Sequence, residues 1–178
     1  MRKKSVQQPT TIKSFPLIVT LQMEPSAQAY FDDLRTTHFP KHANYLKAHI
    51  TLFHKLPSNN PRIDNTLQQL AQRPPFELLA DKVYSFGQGV AFHLQSLELQ
   101  QLHVAMQASW SDLLIRQDQQ TIIPHITIQN KVTNFKATQL KDALLADFTP
   151  FNVKVIGFQT WYYKGGPWKQ KADFNFSL

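Results

Sequence analysis

Apolar and polar positions along this chain change period in a fixed order, and the order occurs twice. "FPLIVTLQM", from Phe15, is apolar and β-branched and predicts a strand. "SAQAYFDDLRTTHF" switches to helical spacing, with Ser26 in place as a cap. "KAHITLFHKL" alternates and predicts a second strand. "NNPRIDNTLQQLAQR" places Ile63, Leu67 and Leu70 on one helical stripe, and "PFELLADKVYSF" returns to strand. The second pass begins with "GVAFHLQS", a strand. A helix is expected over "LELQQLHVAMQASWSDLLIRQ", with Leu99, Leu102, Met106, Trp110 and Leu113/Leu114 on one side. "TIIPHITIQNKV" is a strand opened by Pro124, "NFKATQLKDALLADF" a helix from about Asn134, and "FNVKVIGFQTWYYK" a strand dense in aromatics. "GGP" makes a turn before the closing strand "WKQKADFNFSL".

Each pass therefore runs strand, helix, strand, helix, strand, and the spacing agrees. Ile18 lies 31 residues before His49, and Phe92 lies 33 before His125. The pattern predicts two α+β lobes related by a pseudo-twofold axis, about residues 15–86 and 89–178, with the boundary at the glycines of "SFGQG". No low-complexity linker separates them, so residues 15–178 are expected to form one domain behind a flexible basic arm over residues 1–14.

Within the repeat one phrase is spelled twice. "HITLFHKL" starts at His49 and "HITIQNKV" at His125. On a strand, alternate residues share a face. His49 and Thr51 then face one side and His125 and Thr127 do the same in the other half, with the aliphatic residues between them facing the core. Two such strands meeting across a pseudo-twofold axis would offer two imidazoles and two hydroxyls to one cleft. Transfer at a phosphodiester needs a base for the attacking oxygen, an acid for the leaving oxygen and donors for the phosphoryl oxygens. Imidazole, with an ordinary pKa of about 6.5, serves as either acid or base near neutrality. The scheme calls for no cofactor and no metal. A lone His-x-Thr on a strand is more often a satisfied surface histidine. The pair, at equivalent places in two halves, is what carries the functional reading.

Composition narrows the setting. There are no cysteines among the 178 residues, which excludes disulfides, thiolate metal sites and a cysteine nucleophile. The seven histidines include none in a zinc-protease spacing, so a metal centre is the weaker use of them. Nineteen basic against 12 acidic residues give a net charge of +7, which favours a phosphorylated or polyanionic partner over a membrane. The apolar runs are far shorter than the ~20 residues of a membrane span, and a cytoplasmic monomer is expected.

On the strength of "HITL" and "HITI", the chain resembles the 2H phosphoesterase superfamily, in its branch of 2′-5′ RNA ligase-like proteins and cyclic phosphodiesterases. The resemblance runs from Phe15 to the C-terminal hairpin. It implies a bilobal, pseudo-twofold fold with two antiparallel-rich sheets lining a central cleft and helices outside. It also implies roles: His49 and His125 as the acid/base pair, and Thr51 and Thr127 as holders of the phosphoryl oxygens. The implied substrates are 2′,3′-cyclic phosphate ends of RNA, cyclic nucleotides or 2′-5′ linkages. A degenerate member that binds a nucleotide or RNA end without turnover is the alternative. One position departs from the pattern. The bacterial RNA-ligase members often carry Arg five residues after the second histidine, where this chain has Asn130 followed by Lys131. Strand parity assigns Lys131 to the His125 face and Lys55 and Phe53 to the His49 face. Phe53 is thus the first choice for stacking a base, with Tyr84, Phe92, Trp161, Tyr163 and Trp168 as further candidates and Trp168 placed to reach the cleft mouth from its turn. Phe86 and Phe92, near the lobe boundary, are also read as core.

Overall fold

The computed structural model describes residues 15–177, so the expected N-terminal arm lies outside the described residues. Seven strands and four α-helices follow the predicted order: β1 (Pro16–Met23), α1 (Pro25–His38), β2 (Ile50–Pro57), α2 (Pro61–Leu70), β3 (Phe76–Ser85), β4 (Val90–Gln95), α3 (Leu97–Ser109), β5 (His125–Gln129), α4 (Asn134–Leu145), β6 (Phe151–Tyr162) and β7 (Lys169–Asn175). A short 3-10 turn, Lys41–Ala43, lies between α1 and β2.

The strands are all antiparallel and form one sheet in the order β2-β1-β6-β3-β4-β5, where two sheets were expected. The join is β6, whose length exceeds what either side needs. Its first residues, Phe151 to Val155, pair with β3, and its later residues pair with β1 on one edge and β7 on the other. β2 and β5 are the two ends of that strand order, yet they touch, so the sheet curls until its edges meet.

Pairing and cover both cross the chain midpoint. β3, from the first pass, pairs with β4 and β6 of the second. Helix α1 packs Phe31 against Phe92 of β4, and Tyr30 against Phe151 of β6. Helix α3 returns the exchange by packing His103 on Phe53 of β2, and Trp110, just past its end, packs on the same ring. A side chain at Gly89, at the junction, would collide with the backbone of Gln129 and Asn130, so the close approach of β4 to the end of β5 requires glycine there.

Three sequence expectations are corrected here. Ser26 does not cap α1. The helix opens on Pro25, and the Ser26 hydroxyl donates to Glu24. Helix α3 ends at Ser109, not near Gln117, because Gln107 Nε2 donates to the carbonyls of Asp118 and Gln120 and folds the following segment back. Phe86, read as core, is exposed and edges onto Tyr84.

Candidate functional site

The two motif strands carry the same irregularity. In β2, Thr51 pairs with Thr20 and Phe53 with Val19, leaving Leu52 as an extra residue. In β5, Thr127 pairs with Ala91 and Gln129 with Val90, leaving Ile128 extra. Each motif threonine is thus followed at once by a β-bulge, which re-aims the residues after it. The strands beside them repeat the correspondence. Ile156 is the extra residue where β6 passes Gln22 of β1, and Asp81 is the extra residue where β3 passes His93 of β4.

The first bulge overturns the parity argument for Phe53. Phe53 is completely buried, stacked on His103 with ring centroids 4.6 Å apart and edge-on to Trp110 at 4.9 Å. It is a core residue and offers no face to a ligand. A second irregularity in β2, between the pairs Val19–Phe53 and Leu17–Leu56, leaves both His54 and Lys55 exposed beside the buried Leu56. Lys55 is exposed, and its backbone N–H donates to Asp118. Lys131 lies beyond the end of β5 with φ near +60°, so strand parity does not reach it, and its ammonium lies 6.0 Å from the ring centre of Tyr45. Phe92 is core, as one of its two readings had it.

His49 and His125 are held alike. Each donates from Nδ1 to the carbonyl two residues before it, His49 to Lys47 at 2.7 Å and His125 to Ile123 at 2.9 Å. A carbonyl only accepts, so Nδ1 carries the proton in both rings, and Nε2 is left as the free nitrogen. His49 is half-buried and His125 exposed. Burial pushes the His49 pKa down to about 4, helped by the positive charge of Arg35 and by His125, against the backbone hydrogen bond, which raises it. The two rings are close enough to feel each other. Thr51 and Thr127 are both partly exposed.

Arg35 of α1 ties the two motif segments together, and nothing in the sequence pointed to it. It is 4% exposed, donating from Nε to Leu46 O, from Nη1 to Thr127 O at 2.8 Å and from Nη2 to Asn44. One rigid guanidinium fork therefore fixes both the loop before His49 and the strand after His125. His103 and Asp118 do similar work around the first bulge. His103 Nε2 bonds Leu52 O at 3.1 Å, and the Asp118 carboxylate accepts from the backbone of His54 and Lys55 and from the His54 ring. Burial alone would raise the Asp118 pKa, but these hydrogen bonds outweigh it and hold the carboxyl below its ordinary range.

Beside His49 opens a groove of about 710 Å³, lined by Gln22, Lys47, Gln159, Trp161, Trp168 and Gln170 among others. Trp168 leans over the His49 ring with centroids 4.6 Å apart, and Trp161 lies 6.3 Å behind it, its indole N–H donating to Thr20. The turn that carries Trp168 is closed by Gly165 at φ +88°, a conformation side chains rarely adopt. Among the described residues no three His, Asp or Glu side chains converge as a metal site would require.

The family model of the 2′-5′ RNA ligase superfamily matches residues 23–167, and the chain belongs to that superfamily. Solved structures agree on the fold. A structure of TT0787 from Thermus thermophilus has a TM-score of 0.63 at 15% identity, covering 90% of this chain and 97% of its own. E. coli LigT complexed with 3′-AMP has a TM-score of 0.58 at 17% identity, covering 93% and 100%. LigT complexed with NADP+ gives 0.57 at 16% identity, covering 93% and 100%. No curated protein matches the chain. The seven-stranded antiparallel sheet with its four helices is thus the LigT-like 2H phosphoesterase fold.

Proposed function

We propose that this protein is a metal-independent phosphodiesterase that opens 2′,3′-cyclic phosphates of RNA ends or nucleotides, or cuts 2′-5′ linkages, with His49 and His125 as the acid/base pair. The observation that carries this reading is the matched tethering of the two rings. Both Nδ1 atoms are committed to a carbonyl two residues back, which leaves two Nε2 atoms for proton transfer.

In the opening direction a water oxygen attacks phosphorus while His49 Nε2 takes its proton. His49, whose pKa is held low by burial, is neutral at pH 7 and ready for that task. The bond from phosphorus to the 2′ or 3′ oxygen breaks as the His125 imidazolium delivers a proton to that oxygen. Thr51 and Thr127 donate hydroxyl hydrogen bonds to the oxygens that gain charge. The base of the nucleotide stacks on Trp168 beside His49, with Trp161 supporting it. That LigT has been solved with 3′-AMP, NADP+ and ATP supports a nucleotide as the class of ligand.

The test is incubation with nucleoside 2′,3′-cyclic monophosphates and with a short RNA ending in a cyclic phosphate, in the presence of EDTA. Opening is expected to persist in EDTA and to fall by roughly a thousandfold or more in His49→Ala and His125→Ala, with folding unchanged. Full activity in either variant would sink the two-histidine scheme. Binding without turnover at any pH would leave a nucleotide-binding module.

A further inference from the structure

The near-twofold match of the bulges shows where the halves differ. His93 is the direct cross-strand partner of His125, and Lys82 is the partner of His93, so all three occupy one row across β5, β4 and β3. Directly paired residues share a face, with Cβ atoms about 5 Å apart. Asp81, the bulged residue beside Lys82, accepts from His93 Nδ1 at 2.5 Å. His93 is thereby tethered through Nδ1, as His49 and His125 are, with Nε2 free. The corresponding positions beside His49, placed by the same bulge, are Gln22 of β1 and Ile156 and Gly157 of β6. The fold therefore closes there without a titratable group, and its architecture does not demand His93, Asp81 or Lys82 beside His125.

What the row offers is a series of polar side chains leading away from His125 and ending in an ammonium. When a phosphate takes the position, a proton on His93 Nε2 would bridge to it, with Asp81 accepting from Nδ1 on the other side. Lys82 is exposed at the next position. The other ionisable groups on this face of β3 are Tyr84, one row along, paired with Ala91 and raised in pKa by burial, and Glu77 at the far end of the strand, which accepts from Asn152. The negative charge within the row itself is Asp81, and it is engaged by His93. Lys131, just beyond the end of β5, is turned toward Tyr45 instead.

We propose that His93, held by Asp81 and flanked by Lys82, is a second anion-binding position that takes a phosphate on the 5′ side of the ribose whose cyclic phosphate lies between His49 and His125. The assignment rests on the phosphodiesterase reading and narrows its substrate class. The preferred substrate carries a second phosphate, as an RNA end or a 5′-phosphorylated nucleotide does and a nucleoside cyclic monophosphate does not.

Calorimetric titration with adenosine 3′-monophosphate and adenosine 3′,5′-bisphosphate tests this without relying on turnover. The wild-type protein is expected to bind the bisphosphate roughly tenfold more tightly or better. That ratio should fall to about one in His93→Ala, fall by several-fold in Lys82→Gln, whose site is exposed and tolerant, and survive in His93→Lys. A wild-type ratio near one, or a ratio unchanged in both His93→Ala and Lys82→Gln, overturns the assignment. An equal loss for both ligands in His93→Ala, with no change in Lys82→Gln, also overturns it, because that result describes a structural residue. Failure of the wild-type protein to bind either ligand would instead strike at the phosphodiesterase reading beneath it.

Discussion

At the scale of single residues, the burial of His49 has a consequence that can be measured. With its pKa at about 4 against the ordinary 6.5, the folded protein refuses a proton that the unfolded chain accepts between those values. Its contribution to stability is complete above pH 6.5 and is lost as pH falls through about 4. His49→Gln should flatten that part of the stability curve in denaturant titrations. The acid limb of kcat/KM is likewise expected near pH 4, and a limb at 6.5 would show that His49 is not the base. A second contrast separates the aromatics. Phe53→Ala should cost about 3–5 kcal/mol by opening a core cavity, read as a shift in the unfolding midpoint. Trp168→Ala should leave stability almost unchanged and raise KM several-fold. The sequence could name His49, Thr51, His125 and Thr127 because a phrase repeated at equivalent positions is visible without a structure. It could not place Phe53, since parity fails at a bulge. The adjacent pair Leu52-Phe53, two large apolar residues where alternation asks for one, was the only trace of it.

At the scale of elements, the bulges are what make two ordinary strands into a site, and the first one is held from outside its own strand. The segment after α3, read from sequence as more helix, instead brings Asp118 to the backbone of His54 and Lys55. Helical periodicity in "SWSDLLIRQ" was real, but Gln107 and Asp118 form bonds that the helix would forbid. Asp118→Ala would strand two backbone donors, and is expected to cost about 2–4 kcal/mol, measured by chemical unfolding. It should also lower kcat more than it raises KM, because the Thr51 backbone would lose its fixed register. Arg35 shows the same limit of sequence reading. An arginine in an amphipathic helix looks like a solvent-facing charge, and only the approach of Leu46 and Thr127 makes it a buried tie.

At the scale of the whole molecule, the repeat was legible and its assembly was not. Periodicity locates strands and helices, but the choice of partner is made over long range. β6 serves both sides of the sheet, while α1 and the end of α3 each cover strands of the opposite half. We therefore propose that residues 15–177 fold as one cooperative unit. A chain expressed as two pieces, divided between Gly87 and Gln88, should give fragments that are unfolded alone and regain their near-ultraviolet circular dichroism when mixed. Two independently folded fragments would contradict this.

The exchanged helices also constrain ancestry. A half-length forebear with one motif could not have closed around its own strands, since its first helix lies over the strands of the other half. It would have had to intertwine with a twin, placing one histidine from each copy on either side of a shared symmetry axis. Fusion of the two copies releases that symmetry. Once joined, the two sides of the cleft are free to differ one position at a time, as they do at Gln22 and His93.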